Sequence, residues 1–501
     1  MQLLRAAYLI ADPELLEASV IRDGALVIDK DVVVATGAWQ DLENTYRGLE
    51  PFDIPYQSLI IPGLINAHHH GRGLATTQIG MADKPLEVWL PSFILYPPLD
   101  PYLDTLYTAA RMLRSGVTTS LLSHSDLGPI EGYRQRTYRS IKAYQDVGVR
   151  IAFALGHYDQ HFLTHVSEEE FFATLPRTLA SQARRYFNPK TLYIATKDYF
   201  DFFEELYQEF RSDPKVRMLL SPCGFHWASN ELQKRMAQAA EHYQTQVHLH
   251  TLETPYQREY AKRMFGKTTA QVLNENGLLG SHVSLAHGIH VTSKDIELLS
   301  KTDTMVVTNP SSNLRLGSGT LPLHDVLARG INVALGMDSM TLFADDDMLG
   351  ELALLQALHR RHDGTQLSPH KALEMATVQG AKVTGFSETG KLLSTYQADL
   401  VVINLQRFST PYIQPGVDLV GLALSQSRTA DIHSVLVAGE MVIENGNLAK
   451  LELGQLAYSI QNYLVAPPDD RQAQLAKTAF LHDLKPHLVA FYKSQQIGLG
   501  S

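Results

Sequence analysis

From about residue 59 the chain alternates short continuous apolar runs with amphipathic stretches. The runs are "SLIIPGLINAH", "TTSLLSH", "RIAFALGH", "VRMLLSPCG", "QVHLH", "VSLAHG", "TMVVTNP" and "NVALGMD". Runs without polar alternation predict strands buried on both faces, which means a parallel sheet with helices outside it. Eight such units predict a (β/α)8 barrel of the TIM type, in the α/β class. Residues 158–215 are too many for one crossover and read as an inserted helical subdomain.

The texture differs at both ends. Residues 1–58 hold short strand-like segments broken by turns ("AAYLIA", "SVIRDGALVID", "DVVVATG"), and such segments return in "ADLVVINL" and "SVLVAGEMVIENGNL". The expected organisation is therefore a first β-sandwich part over 1–58, the barrel over 59–385, a second β-sandwich part over 386–450 and a C-terminal helical extension over 451–501. Pro467 and Pro468 interrupt that extension, which has two open placements, on the barrel or on a partner subunit.

The 501 residues are 45% hydrophobic and 19% charged, which supplies a large core and gives no sign of disorder. The net charge of −10 is spread along the chain and argues against nucleic acid as a partner. Cys223 is the only cysteine, so no internal disulfide forms and a reducing compartment fits. The segment "MQLLRAAYLIADPELLE" carries Arg5, Asp12 and Glu14 and has no long apolar core, so no signal peptide is expected. Nowhere do ~18 uncharged apolar residues run together, the length a membrane span needs. A cytoplasmic protein acting on a small molecule is expected.

In a barrel of this kind functional groups gather at the carboxyl ends of the strands. Those ends carry, in order, His68-His69-His70, His124, His157, Cys223, His248 with His250, His287, Asn309 and Asp338. Any one of these histidines alone reads as a hydrogen-bonded structural residue, and a lone Asp after a strand as a helix N-cap. Their recurrence at successive strand ends reads as a metal site. His68 and His70 are two apart, so they share a face while His69 points to the barrel wall. With one histidine of the fifth strand and Asp338 of the eighth they surround a single divalent ion, and neutral imidazole suits zinc or iron.

The segments "PGLINAHHH", "HLHTLET", "LAHGIH", "TNPSSNLRLGSG" and "VALGMDS" resemble the signature segments of the amidohydrolase superfamily. The similar branch is the one containing atrazine chlorohydrolase, guanine deaminase and methylthioadenosine/S-adenosylhomocysteine deaminase, and "PLEVWL" and "ALEMATVQGAK" resemble it too. The resemblance runs from about residue 60 to residue 450. It implies a barrel with a β-sandwich from both termini, and a homodimer. It also implies His68, His70, His250 and Asp338 as metal ligands, Glu253 as proton shuttle and His287 as the group that orients or polarises the substrate. His248 and His290 match no ligand position and read as structural. Two-metal members usually carry a carboxylated lysine at the end of strand four; "VRMLLSPCG" has none, so one ion is expected, zinc first, with iron or manganese as alternatives. Four protein ligands plus water exceed the usual catalytic zinc set, which implies five-coordination and a weakly bound Asp338.

Three departures bear on substrate choice. Strand two ends in "SHSD", with His124 and Asp126 where relatives have a lone acid. Strand four ends in "SPCGFHW", with Cys223 where a Pro-His segment is frequent, and Arg72 stands at a usually apolar position. Arg72, Trp89, His124, Cys223 and Asn309 are the candidate substrate contacts, with Ser312 and Asn313 as pocket-shaping residues, and the added cations favour a polar or anionic substrate. The activity implied is a metal-dependent hydrolase of C–N bonds other than peptide bonds, foremost a deaminase of an amino-substituted nitrogen heterocycle. The alternatives are hydrolysis of an amide, cyclic amide or amidine, and displacement of chloride or alkylamine from a triazine-type ring. A non-catalytic scaffold requires missing ligands, and none is missing here.

Overall fold

The computed structural model describes residues 1–124, 126–160, 162–188, 192–338, 341–465 and 468–495. Two eight-stranded sheets form among them. The N-terminal strands β1 (Gln2–Ile10), β2 (Val20–Asp29) and β3 (Val32–Ala38) make an antiparallel meander, and β4 (Ser58–Pro62) joins it parallel to β1. The barrel follows as β5 (Leu64–His69), β6 (Val117–Ser123), β7 (Arg150–Gly156), β8 (Val216–Ser221), β9 (Val247–Thr251), β10 (Val283–His287), β11 (Met305–Thr308) and β12 (Val333–Leu335). Every pairing is parallel and sequential, as expected of a (β/α)8 barrel.

The barrel closes through its carboxyl rim. Asp338 donates its backbone N–H to the His68 carbonyl at 2.8 Å, and His69 and Asp338 form an isolated parallel bridge. The hydrogen bond that closes the ring therefore brings together two of the groups that the sequence had marked.

The run "SLIIPGLINAH" is two strands, not one. Residues 59–62, read with the barrel, pair instead in the other sheet: β4 runs antiparallel to β13 (Leu400–Asn404), with Pro62 opposite Leu400. The chain changes sheets at Gly63, where a side chain would meet Thr118 Oγ1 at 2.2 Å, so only glycine lets the two sheets approach this closely. β14 (Ile432–Val437), β15 (Glu440–Glu444) and β16 (Asn447–Leu448) complete the order β16-β15-β14-β13-β4-β1-β2-β3, so strands from both chain ends share one ladder. Alternation along it separates two faces: Leu59, Ile61, Val401 and Ile403 join the barrel's core, while Ile60, Leu400 and Val402 pack with Leu4, Leu26 and Ile28. The sheet curls, since Ala398 N–H donates to Asp31 at the β2–β3 turn. A buried ion pair, Arg150 Nε to Asp399 Oδ2 at 2.7 Å, ties this sheet to the start of β7.

A second apolar core lies apart from the barrel. Met81, Leu86, Trp89 and Leu95 pack there with Phe171, Phe172 and Phe187 of the insertion and with Phe480, Leu484 and Leu488 of the helix Pro468–Ser494. Between β7 and β8 the insertion supplies the helices Glu168–Phe172, Arg177–Tyr186 and Thr196–Phe210. The C-terminal helix, expected on the barrel or on a partner subunit, packs on the insertion and the segment around Leu95: Gln474 Nε2 donates to Leu95 O at 2.7 Å and Tyr492 Oη to Leu163 O at 3.0 Å. Pro467 and residues 496–501 lie outside the described residues. Among the described residues no helix is long and apolar enough to cross a membrane.

Candidate metal centre and pocket

Strand ends aim the polar groups inward because the backbone turns there. Cys223, Leu252, His287 and Asp338 all have left-handed backbone (φ 54°, 55°, 75° and 58°), each at or just past the end of a barrel strand. Such conformations cost a non-glycine residue of order 1 kcal/mol and concentrate at functional sites.

His68, His70 and Asp338 form one cluster of potential ligand atoms, and His68, His250 and His287 a second that shares His68. His70 Nε2 lies 3.1 Å from Asp338 Oδ1 and 3.2 Å from His250 Nε2, and His68 Nε2 lies 3.5 Å from Asp338 Oδ1. The outer ring nitrogens fix the tautomers. His70 Nδ1 faces Ser123 O at 2.8 Å and His250 Nδ1 faces Cys223 O at 2.6 Å. Carbonyl oxygens only accept, so both Nδ1 atoms carry the proton and both Nε2 atoms present lone pairs to each other. His68 is set the same way through a chain: Ser284 Oγ donates to Val247 O, accepts from His248 Nδ1 at 2.7 Å, and leaves His248 Nε2 to accept from His68 Nδ1 at 2.7 Å.

Three lone pairs and a carboxylate thus converge in a buried space. His68 Nε2 is buried and makes no hydrogen bond. Burial holds His68 well below the ordinary histidine range and lowers His250 to about 3, so the rings stay neutral. Burial pushes the Asp338 carboxyl up, but the His68 and His70 ring edges that face it outweigh burial and hold it well below the carboxylate range. Neutral imidazoles and an ionised carboxylate are the donor set of a divalent cation. Separations of 3.1 to 3.5 Å suit ligands with bonds of about 2.0–2.2 Å to one centre. The residues present fit a metal ion.

Glu253 and His287 flank this cluster. His287 Nε2 is 3.6 Å from Glu253 Oε2 and 3.9 Å from Asp338 Oδ2, while its Nδ1 faces Asn313 Oδ1 at 2.9 Å and Asn309 Nδ2 at 3.4 Å. Burial, then the charges of Asp338 and Glu87, push Glu253 well above the ordinary carboxyl range. Ser312 Oγ donates to Asp338 Oδ2 at 2.7 Å. Ser312 and Asn313, read as pocket-shaping residues, instead hold two members of the cluster from behind.

His70, His250, Glu253 and Asp338 form the polar end of a pocket whose other walls are Arg72, Leu86, Trp89, Leu90, Phe93, Tyr158, Trp227 and Leu316. Of the five candidate substrate contacts, the structure brings Arg72 and Trp89 to this pocket. Cys223, His124 and Asn309 do not line it. The left-handed backbone of Cys223 turns its buried thiol toward Tyr158 and Trp227 and its carbonyl toward His250. His124 packs between Tyr133 and Phe153, 3.4 Å from Asp126. Asn309 sits behind His287. His69 turns away from the cluster: its Nδ1 accepts from Gly71 N–H at 2.8 Å and its Nε2 lies 3.7 Å from Asp346. His157 bonds Thr196 and His290 bonds Ser318 O, both away from the cluster.

Sequence reasoning missed the part His248 plays in fixing the His68 tautomer, and the walls Leu90, Phe93, Tyr158 and Trp227. For His248 the sequence offers only a histidine two residues before a ligand position; its neighbour Ser284 is set by the pairing of β9 with β10. The aromatic walls come from loops and short helical turns past β5, β7 and β8 and carried no periodicity that marks a pocket.

The Amidohydrolase family model matches residues 59–442. The chain is 30% identical over 438 residues to the 5-methylthioadenosine/S-adenosylhomocysteine deaminase of Pyrococcus furiosus, covering 85% of this chain and 93% of that protein. Among solved structures it is similar to an adenosine deaminase from Xanthomonas campestris with bound zinc (TM-score 0.76, 23% identity, 92% and 97% of the two chains). It is also similar to the atrazine chlorohydrolase TrzN from Arthrobacter aurescens complexed with zinc (TM-score 0.75, 21% identity, 92% and 99%).

Proposed function

The chain belongs to the amidohydrolase family, and from that premise we propose that it is a mononuclear, metal-dependent aminohydrolase that releases ammonia from an amino-substituted nitrogen heterocycle. The observation that carries this reading is the convergence of three imidazole nitrogens and Asp338 beside a buried Glu253, whose carboxyl is raised well above its ordinary range. His68, His70, His250 and Asp338 would hold one divalent ion, zinc by analogy with the solved relatives. When bound, such an ion supplies a water acidified from a pKa of 15.7 toward ~7.

The chain's own groups do the rest. Asp338 Oδ2, oriented by Ser312, is placed to take a proton from water as the attack on the ring carbon begins. Glu253, whose carboxyl is raised above its ordinary range by burial, gives a proton to the ring nitrogen next to that carbon, which lets the carbon accept an electron pair. The carboxylate left behind takes the proton of the newly added hydroxyl and passes it to the departing amine as the C–N bond breaks, and the proton held by Asp338 restores Glu253. His287, 3.6 Å from Glu253, steadies negative charge growing on the substrate. Trp89, Phe93 and Trp227 give a flat ring apolar walls and keep bulk water out.

The test is ammonia release by zinc-loaded protein from adenosine, 5-methylthioadenosine, guanine, aminopyrimidines, aminotriazines, pterins and guanidino compounds. Ammonia from one ring class is the expected result. Silence across the panel, with hydrolysis of an amide or a chlorotriazine instead, overturns it. His248→Ala leaves His68 Nδ1 without its acceptor and is expected to weaken zinc binding about 10- to 100-fold, read by titration against a chelating dye. An unchanged affinity refutes the part given to His248.

A further inference from the structure

The pocket wall holds a cation with no ion-pair partner among the described residues. Arg72 lies over Phe93 (4.4 Å from its guanidinium carbon to the ring centroid) and Tyr96 (5.0 Å). Its Nε is shielded from water and makes no hydrogen bond, and among the described residues its guanidinium has no ion pair. The two carboxylates whose charge it feels are engaged elsewhere. Asp104 accepts from Tyr96 Oη at 2.8 Å and from Gly73 N–H at 2.7 Å, and Asp126 accepts from Arg136 Nε at 2.7 Å.

A second orphaned donor lies close by. The indole N–H of Trp89 is buried without an acceptor, and Trp89 packs edge-to-face on the same Phe93 ring that carries Arg72 (4.8 Å between centroids). Burying the Nε of an arginine and an indole N–H without acceptors is costly, and stacking on Phe93 and Tyr96 does not supply the missing acceptors. Stacking on ring faces leaves the guanidinium edge open, and that planar fork matches a carboxylate. Neither a lysine nor a second arginine lines the pocket among the described residues, so its one permanent cation suits a single negative charge better than a phosphate dianion.

We propose that Arg72 determines specificity by binding a carboxylate of the substrate, so that the ring acted on is an anionic compound and not a neutral base. The inference deepens the aminohydrolase reading and rests on it only for which end of the pocket holds the reacting carbon. Phe93 and Tyr96 position the guanidinium, and Trp89 donates to the same end of the ligand.

The test separates binding from catalysis. Benzoate and benzamide, alike in shape and different in charge, are titrated by calorimetry into zinc-loaded wild type, Arg72→Met and Arg72→Lys. Wild type is expected to prefer benzoate by about 10- to 100-fold, the worth of a charge-assisted hydrogen bond. Arg72→Met loses that preference while binding benzamide as before, which also shows that the pocket is intact, and Arg72→Lys keeps part of it. Equal binding of the two compounds by wild type, or no detectable binding of benzoate, overturns the proposal. So does a preference that survives in Arg72→Met, because the carboxylate then sits on the metal. Ammonia release plays no part in this assay. A failed ammonia screen beside an Arg72-dependent benzoate preference removes the aminohydrolase reading and leaves the anion subsite standing.

Discussion

His70→Ala is expected to abolish metal retention and lower kcat/KM by at least about 10³-fold, since the bound ion is worth several kcal/mol to the transition state. His70 is the informative ligand because its Nε2 touches both halves of the cluster, Asp338 Oδ1 at 3.1 Å and His250 Nε2 at 3.2 Å. Two measurements check it. Elemental analysis is expected to find about one zinc per wild-type chain, the count a single structural or catalytic site holds, and a small residue in the variant. Chelation is expected to lower the thermal midpoint of wild type, because a ligand bound only by the folded state stabilises it, and to leave the variant unmoved. A variant that keeps its zinc and its activity removes His70 from the ligand set. One that keeps zinc but loses activity makes the residue a substrate contact.

The barrel was legible because parallel strands buried on both faces must be apolar throughout, and because the closed ring collects every strand's carboxyl end in one place. Period and spacing therefore located His68, His70, the His248–His250 pair and Asp338 together, and the family resemblance singled out His250. What stayed hidden depends on information that no local pattern carries. "SLIIPGLINAH" is apolar across Gly63 whichever sheet each half joins, and the division is decided by Thr118 and Leu400, far away in sequence. Cys223 follows Pro222 at a strand end, as a substrate contact would, yet its left-handed backbone directs the carbonyl and not the thiol toward the cluster. His248 lacks a ligand's position, so its reach to His68 emerges only when the strands are paired. Arg72 was readable as an unusual residue, but its lack of a protein partner is a property of the folded chain.

Glu253→Gln separates the proton shuttle from the metal. The variant is expected to keep its zinc, since Glu253 is not among the groups the ligand clusters contain, and to lose about 10²- to 10⁴-fold in kcat, the usual worth of a positioned acid or base. KM is expected to change little. A variant that loses its zinc would make Glu253 a ligand, and one that keeps wild-type kcat would end its part in proton transfer.

The pH profile tests the same group from a second direction. Glu253 is raised above the ordinary carboxyl range, first by burial and then by Asp338 and Glu87. A raised acid holds its proton to higher pH, so the activity that needs this proton is present at low pH and falls as pH rises through the shifted value. The stability that the proton confers follows the same sign: full below the unfolded pKa and lost as pH climbs through the folded one. Glu87 is itself raised to about 7 by burial, so above that pH its charge acts on Glu253, whose neighbour in sequence, Thr254, donates its hydroxyl to Glu87. Replacing Glu87 by Gln removes a negative charge that favours the protonated Glu253. The alkaline limb of kcat/KM is then expected to move to lower pH in Glu87→Gln, with zinc content unchanged. A bound cation pulls Glu253 the opposite way, so the comparison is made between variants carrying the same metal. An alkaline limb that stays in place in Glu87→Gln would mean that the titrating acid is not Glu253.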